Sequence, residues 1–472
     1  MRLSITVTVL AVSTAYAASG QTLAERFLLT DTLANKPASE VLANPVLTPM
    51  LSRVSLSHAA AGFDRASLGK VAVRPTEGKG RAEGWFDADA YIKNGRATIT
   101  GNASYSNGRR YGVEYCQVSD PEMVFPYFTA VDACGDFKNE VYTFGGSYSS
   151  DFHEGKWLYG VRLSYRAVQE YRDADPRPKN TVGQLSLAVG FGGRFGPYIV
   201  SLGLDAFKYR QSNNIMFVSE LGEQPVYHLT GMTSHYARFA GTGKSAGYDG
   251  WSRGASVDLY PATEGAYASL SLHRFTFTKT LKELNNLPLN DAVVGRYVVS
   301  GGWKAEAWSV SAGFEYDCRT GTENIFGDPA GNVYPELFAL TTYGWRRTAA
   351  SLKGAWRHLA GDWRADVYAA ASYRFIEEVY KGVVPRLRSV EEEWLVDAEA
   401  QLRKTLSRKI SISASIAGEA ILSRYYAAGA SAGVDYILSG NKSIGLSAGY
   451  KYRTATGFAT GYALTSSLAF KF

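Results

Sequence analysis

The sequence predicts an all-β fold, a transmembrane antiparallel β-barrel of about 18 strands with about 16 as the main alternative, carrying long extracellular loops and short periplasmic turns. Three observations carry this. Apolar and small polar residues alternate at period two in segment after segment. Many of these segments reach the roughly 9–11 residues that a tilted spanning strand needs, against five or six for an ordinary strand. Short and long connections take turns along the chain.

The alternation is direct to read. Ile410, Ile412, Ala414 and Ile416 interleave with Ser411, Ser413 and Ser415. Trp308, Val310, Ala312, Phe314 and Tyr316 interleave with Ser309, Ser311, Gly313, Glu315 and Asp317. Ile444 to Tyr452 and Trp363 to Tyr373 repeat the pattern. A helix would space its apolar residues three and four apart. A soluble sandwich alternates too, but aromatics sit toward segment ends here (Trp157, Tyr198, Trp303, Trp308, Trp363, Tyr452, Phe472), where an interfacial girdle places them. The inner parity is Ser, Gly, Ala, Arg, Asp and Glu, which suits a wet lumen. Strands are expected to start at about 51, 80, 95, 138, 157, 180, 196, 249, 264, 291, 307, 336, 362, 390, 408, 424, 442 and 460. The stretch 336–358 is long enough for one kinked strand or two.

Composition agrees. Charged residues are 20% of the chain and aromatics 13%, which argues against disorder and against a coiled coil. The net charge of +6 comes without a Lys/Arg cluster, so no nucleic-acid partner is expected.

At the N-terminus Arg2, the apolar run Leu3–Val12 and Ala15-Tyr16-Ala17 make a secretory signal peptide, assigned to 1–20. Residues 21–50 carry Leu23, Phe27, Leu28 and Leu33, then Pro45 and Pro49. Two placements are open for them, hanging in the periplasm or tucked into the lumen. The barrel is assigned to 51–472.

Short turns are expected at 93–96, 192–196, 304–306, 360–362 and 439–442, and long loops near 108–137, 211–248, 279–290, 319–335 and 377–389. The 211–248 loop holds Met216, Phe217, Val218, Tyr227, Met232, Tyr236 and Phe239, too many apolar groups for a free tail. Constriction, a cap over the mouth, or contact with a partner protein each accounts for them. The loop around Met123-Val124-Phe125-Pro126-Tyr127-Phe128 shows the same tendency. Of the 3 cysteines, Cys116 and Cys134 share one irregular stretch and are expected to form a disulfide. If the two loops cap each other, that bridge would stiffen the lid.

The last strand, Tyr462 to Phe472, with Leu468, Phe470 and the terminal Phe472 on one parity, resembles the signal that barrel-assembly machinery recognises in bacterial outer-membrane proteins. Together with Gly20-Gln21 and the Tyr-rich strands, the chain looks like exported barrels of the Bacteroidota, including a family of unknown function. The resemblance implies the cell outer membrane, contact with outer-membrane lipid and with the assembly machinery, and names no solute. The chain looks too short for a TonB-dependent transporter, which needs a plug domain and about 22 strands. Asn44-Pro45 is similar, over those residues alone, to the hatch of fatty-acid transporters of the FadL type.

Catalytic patterns are missing. His58 and Ser57 are neighbours on one strand and point to opposite faces. His153 is read in a turn, His228 and His235 as solvated loop residues, and His273 and His358 on strands. Gly190-Phe191-Gly192-Gly193 is read as a turn. Same-face carboxylate pairs occur at Asp87/Asp89, Glu315/Asp317 and Asp397/Glu399. With Arg162, Arg166, Arg364, Arg374, Lys451 and Arg453 on the same parity, a hydrated lumen of mixed charge is the expectation, with acid–base chemistry the lesser one. No enzyme activity, cofactor or metal is expected. The leading function is passage of small solutes through a loop-constricted lumen. The alternative is a non-conducting structural or interaction subunit that docks other envelope proteins.

Overall fold

The computed structural model of the chain describes residues 33–52, 54–67, 75–219, 222–241, 243–331, 333–407, 409–422, 424–439, 442–455 and 460–472. The signal peptide expected at 1–20, and 21–32 after it, lie outside the described residues.

One antiparallel sheet of 18 strands closes on itself. Its strands are β1 (Leu56–Ser67), β2 (Gly80–Asn94), β3 (Ala97–Glu114), β4 (Cys134–Phe152), β5 (Trp157–Tyr171), β6 (Arg177–Phe195), β7 (Tyr198–Met216), β8 (Ser245–Pro261) and β9 (Gly265–Leu281). There follow β10 (Leu287–Lys304), β11 (Trp308–Phe326), β12 (Glu336–Ala360), β13 (Trp363–Tyr380), β14 (Leu387–Ser407), β15 (Ile410–Ile421), β16 (Tyr425–Ser439), β17 (Lys442–Ala455) and β18 (Gly461–Lys471). Each strand pairs with its sequence neighbours, and β18 returns to β1 with His58 opposite Lys471 and Ser67 opposite Tyr462. Closure removes every free edge around the belt, which a bilayer demands because it offers no water to unpaired backbone groups.

The period-two pattern sorts side chains cleanly. Outward positions such as Leu163, Leu204, Val299, Leu352, Ile416 and Leu446 are exposed aliphatics that form the lipid-facing belt. Trp303, Trp308, Trp356 and Trp363 gather on the outer face at the short-turn end, while Tyr105, Tyr142, Tyr297 and Trp394 sit on the long-loop side. This belt between aromatic girdles is an outer-membrane barrel's exterior, and it places the chain in the outer membrane. At the short turns Gly95, Gly196 and Gly361 take left-handed φ values of 58°, 60° and 59°, where an L side chain is strained.

The expected rhythm of turns is observed, but the long loops are shorter than read. β7 runs on to Met216 and β8 begins at Ser245, so the second long loop covers 217–244. There the strands rise past the belt and their outward positions become Lys208, Arg210 and Ser212, so the apolar alternation fades while pairing continues. The first strand starts at Leu56. The stretch after 336 is one strand with a register shift opposite Gly321 and Thr322. Gly190 and Gly193 lie within β6, and the turn read there falls after Phe195.

Candidate functional site

The lumen has a floor at the short-turn end, a lid at the long-loop end and an exposed polar wall along one side. The floor is the chain ahead of the barrel. Of the two placements left open by the sequence, residues 33–51 take the lumen. A short helix (Ser39–Leu42) and a 3-10 turn (Pro45–Met50) bury Val41, Leu42, Val46 and Leu47 against Leu158, Ile199, Tyr260 and Tyr267. Asn44 caps the turn by accepting from Val46 N at 3.1 Å, and its amide donates to Asp258 Oδ2 at 2.9 Å and to Ser201 Oγ at 3.2 Å. Ser256 and Ser269 hydroxyls also donate to Asp258, at 2.9 and 2.6 Å, so this buried carboxylate is fully engaged.

A ladder of glycines makes room for the turn. Gly160, Gly190 and Gly203 face one another across β5, β6 and β7 on the inner side. A Cβ at Gly160 would stand 2.5 Å from Pro45 C, one at Gly190 2.4 Å from Asn44 Oδ1, and one at Gly203 3.0 Å from Asn44 Nδ2. Sequence reasoning missed this notch. The signal was present as three inner-parity glycines, but register is needed to see that they align.

The lid is the β3–β4 connection folded inward, with the β7–β8 loop laid on it. Thr129–Ala130 pairs with Tyr227–Gly231, which pairs with Ser234–His235, giving a small sheet of 3 strands across the mouth. Val118, Val124, Tyr127 and Phe128 pack on inward side chains of the wall, among them Phe137, Tyr209, Tyr248 and Phe277. Asp120 accepts both terminal nitrogens of Arg166 at 2.8 Å, Glu170 holds Arg110 at 2.8 and 2.9 Å, and Asn180 donates to Gln117 O at 3.0 Å. Burial raises the Tyr127 and Tyr236 hydroxyls well above the usual phenol range, so they act only as neutral groups.

Two expectations fail in the lid. The Cys116–Cys134 bridge is not formed: both are free thiols. Cys134 stands opposite Glu114 and is exposed, while Cys116 is two residues further along, buried, with Sγ 3.5 Å from Val118 O. His228, read as solvated, is fully buried in the small sheet. The apolar loop residues divide, since Tyr236 and Phe239 are buried while Met216 and Val218 are exposed.

The remaining wall runs over β15–β18 and on to β1. Its inward positions are small: Ser413, Ser415, Ala417, Gly429, Ser431, Gly433, Ser447 and Ser467. Ser415 and Ser431 are joined by a 2.8 Å hydrogen bond, Ser447 and Ser467 by one of 2.7 Å, and both bridges are exposed. Above and below them lie ion pairs, Lys451–Glu419 at 2.9 Å and Lys471–Asp435 at 2.6 Å.

The lumen charges read from the sequence are distributed around this interior. Arg162 donates to Ala43 O of the floor at 2.9 Å, and Arg166 holds Asp120 of the lid. Glu315 and Asp317 share Arg347. Arg364 meets Asp366 at 2.5 Å, and Glu399 meets Lys36 of the floor at 2.5 Å. Arg374 and Asp397 share the inner parity of β13 and β14. Leu468 and Phe470 lie on the outer face, and Phe472 N donates to Ser57 O at 2.9 Å at the seam.

The model of the Family of unknown function (DUF6850) matches residues 45–423. Among curated proteins nothing matches. Similar solved structures include BauA, the ferric preacinetobactin receptor from Acinetobacter baumannii, at 10% identity and a TM-score of 0.42, covering 89% of this chain and 80% of that one. The ferric-catecholate import receptor Fiu from E. coli K12 aligns at 7% identity and a TM-score of 0.40, covering 88% of this chain and 81% of that one.

Proposed function

This chain belongs to the Family of unknown function (DUF6850), and from its barrel interior we propose that it passes small polar solutes across the outer membrane along the serine wall. The observation that carries the reading is the exposure of inward-facing Ser431 and Ser447 on a wall that neither the floor nor the lid buries. Hydroxyls and backbone of small residues give a moving solute hydrogen-bond partners without a deep well, and mixed charges hydrate the path. The ends set the size limit. The floor is pinned to Asp258 and the lid to Arg166, so the conducting section is a fraction of the lumen that about 18 strands enclose.

Single-channel conductance in a planar bilayer tests this. The full-length barrel is expected to show small, steady conductance. A variant with residues 222–241 replaced by a short Gly-Ser link is expected to conduct several-fold more. Silence from both, with folding intact, would remove the pore reading.

A second reading rests on the start of β12. Residues 336–341 pair with β11, but the opposite register with β13 begins only at Tyr343. Leu337, Phe338 and Leu340 are exposed there. An apolar strand edge above the membrane is suited to strand addition by another envelope protein. Under this reading the barrel is a docking subunit, and Phe338→Asp abolishes co-purification of a partner.

A further inference from the structure

Same-face carboxylate pairs line this lumen, and one of them meets no arginine or lysine among the described residues. Glu315 and Asp317 share the Arg347 guanidinium, with Arg296 at 3.4 Å from Glu315. Glu391 and Glu393 share Arg424. Asp87 and Asp89, at i and i+2 on the inner face of β2, meet an imidazole instead. His58 stands directly opposite Asp89 across the β1–β2 ladder, with Asp87 on the diagonal. The nearest cation in register, Lys471, is engaged with Asp435 at 2.6 Å.

The spacing is informative. His58 Nε2 is 3.5 Å from Asp87 Oδ2 and 3.6 Å from Asp89 Oδ2. Both exceed the 2.7–3.2 Å of an N–H···O bond. They lie close to the distance of about 3.4 Å that separates two ligands of a tetrahedral ion with bonds of about 2.1 Å. One donor atom from each residue fits within 4.8 Å of the other two.

We infer that His58, Asp87 and Asp89 form a site for a divalent transition-metal cation on the lumen wall. One imidazole nitrogen and two carboxylate oxygens are a borderline donor set that suits Zn²⁺ or Fe²⁺, whereas Mg²⁺ prefers oxygen and water alone. Two carboxylates with no arginine on them among the described residues supply the negative charge such an ion offsets. Half-exposed side chains leave the remaining coordination positions open to lumen water or to a solute that carries the metal. The β1–β2 wall adjoins β18, so the ion would sit at the margin of the serine wall. The site depends on these residues alone, and stands whether or not a solute passes.

Titration of the folded, full-length barrel in detergent with Zn²⁺, read by calorimetry, tests it. The expected result is one high-affinity equivalent per chain, absent with Mg²⁺, and weakened roughly tenfold or more in His58→Asn and in Asp87→Asn/Asp89→Asn. A second measurement needs no variant. Zn²⁺ is expected to slow diethylpyrocarbonate modification of His58, read by mass spectrometry, while leaving His153 and His358 unchanged. Absence of the equivalent, binding that survives the substitutions, or unprotected His58 would each overturn the assignment.

Discussion

Asn44 donates to Asp258 at 2.9 Å, and this bond fastens the chain ahead of the barrel to a carboxylate on the inner wall. Asp258 is buried and takes its other bonds from Ser256 and Ser269 on the wall itself. A hydrogen bond to a charged group contributes roughly 1.5–3 kcal/mol. Asn44→Ala is therefore expected to loosen the floor by about that amount while the barrel, held by its own ladder, stays folded. Hydrogen exchange of residues 33–51, followed by mass spectrometry, should quicken in the variant. Unchanged protection would show that apolar packing of Val46 and Leu47 alone holds the floor.

The glycine notch makes a sharper test. Gly190→Val puts atoms where Asn44 Oδ1 and Val46 Cγ2 already lie, 2.4 and 2.7 Å from the new Cβ. β6 cannot yield without breaking pairing on both sides, so the floor is expected to move. Conductance should rise, and hydrogen exchange over residues 33–51 should quicken. Gly101→Ala, with nothing within 4 Å of the added carbon, is the matched control and should behave as the parent chain.

The strand pattern was legible because lipid and lumen impose opposite demands on alternate residues, as in Ile416 and Ser415. Where that contrast ends, legibility ended. The upper parts of β7 and β8 face water outside and the lid inside, so Lys208 and Tyr209 alternate without an apolar outer face. The lid was legible as apolar loop content, but its pairing of Thr129 with His228 joins residues far apart in sequence and leaves no local trace. The Asp87/Asp89 pair was visible, while its placement opposite His58 depended on register.

The cysteines give a chemical test of the lid. Burial pushes the Cys116 thiol up to about 11, so it stays protonated and unreactive at neutral pH. Exposed Cys134 should be alkylated by maleimide in the folded barrel, with Cys116 labelled only after unfolding. Reductant should leave thermal stability unchanged. A shift in the melting temperature with reductant would mean that a bridge forms after all.

Face assignment predicts unequal tolerance of one substitution. Ile416 is 64% exposed on the lipid face, and Ser413 faces the lumen three residues away. Ile416→Arg should cost roughly 2–4 kcal/mol near the bilayer midplane, and Ser413→Arg should cost far less. Equilibrium refolding into lipid vesicles measures both. Equal losses would reverse the reading of β15.

The seam joins the fold to its assembly. Ser57 and Phe472 exchange both backbone hydrogen bonds at 2.9 Å, closing β1 onto the end of β18, and the Phe472 ring packs 5.7 Å from Phe470. Deleting Phe472 removes the two bonds and the ring together. Phe472→Ala keeps the bonds and removes only the ring. If assembly reads the outward aromatic residues, as the terminal strand's resemblance implies, both variants should reach the outer membrane at reduced levels, measured by fractionation and heat-modifiable migration. If closure alone matters, Phe472→Ala should match the parent while the deletion falls. Normal levels of both would mean that neither the ring nor the last pair of bonds limits insertion, and recognition would then have to lie further back along β18, around Leu464 and Leu468.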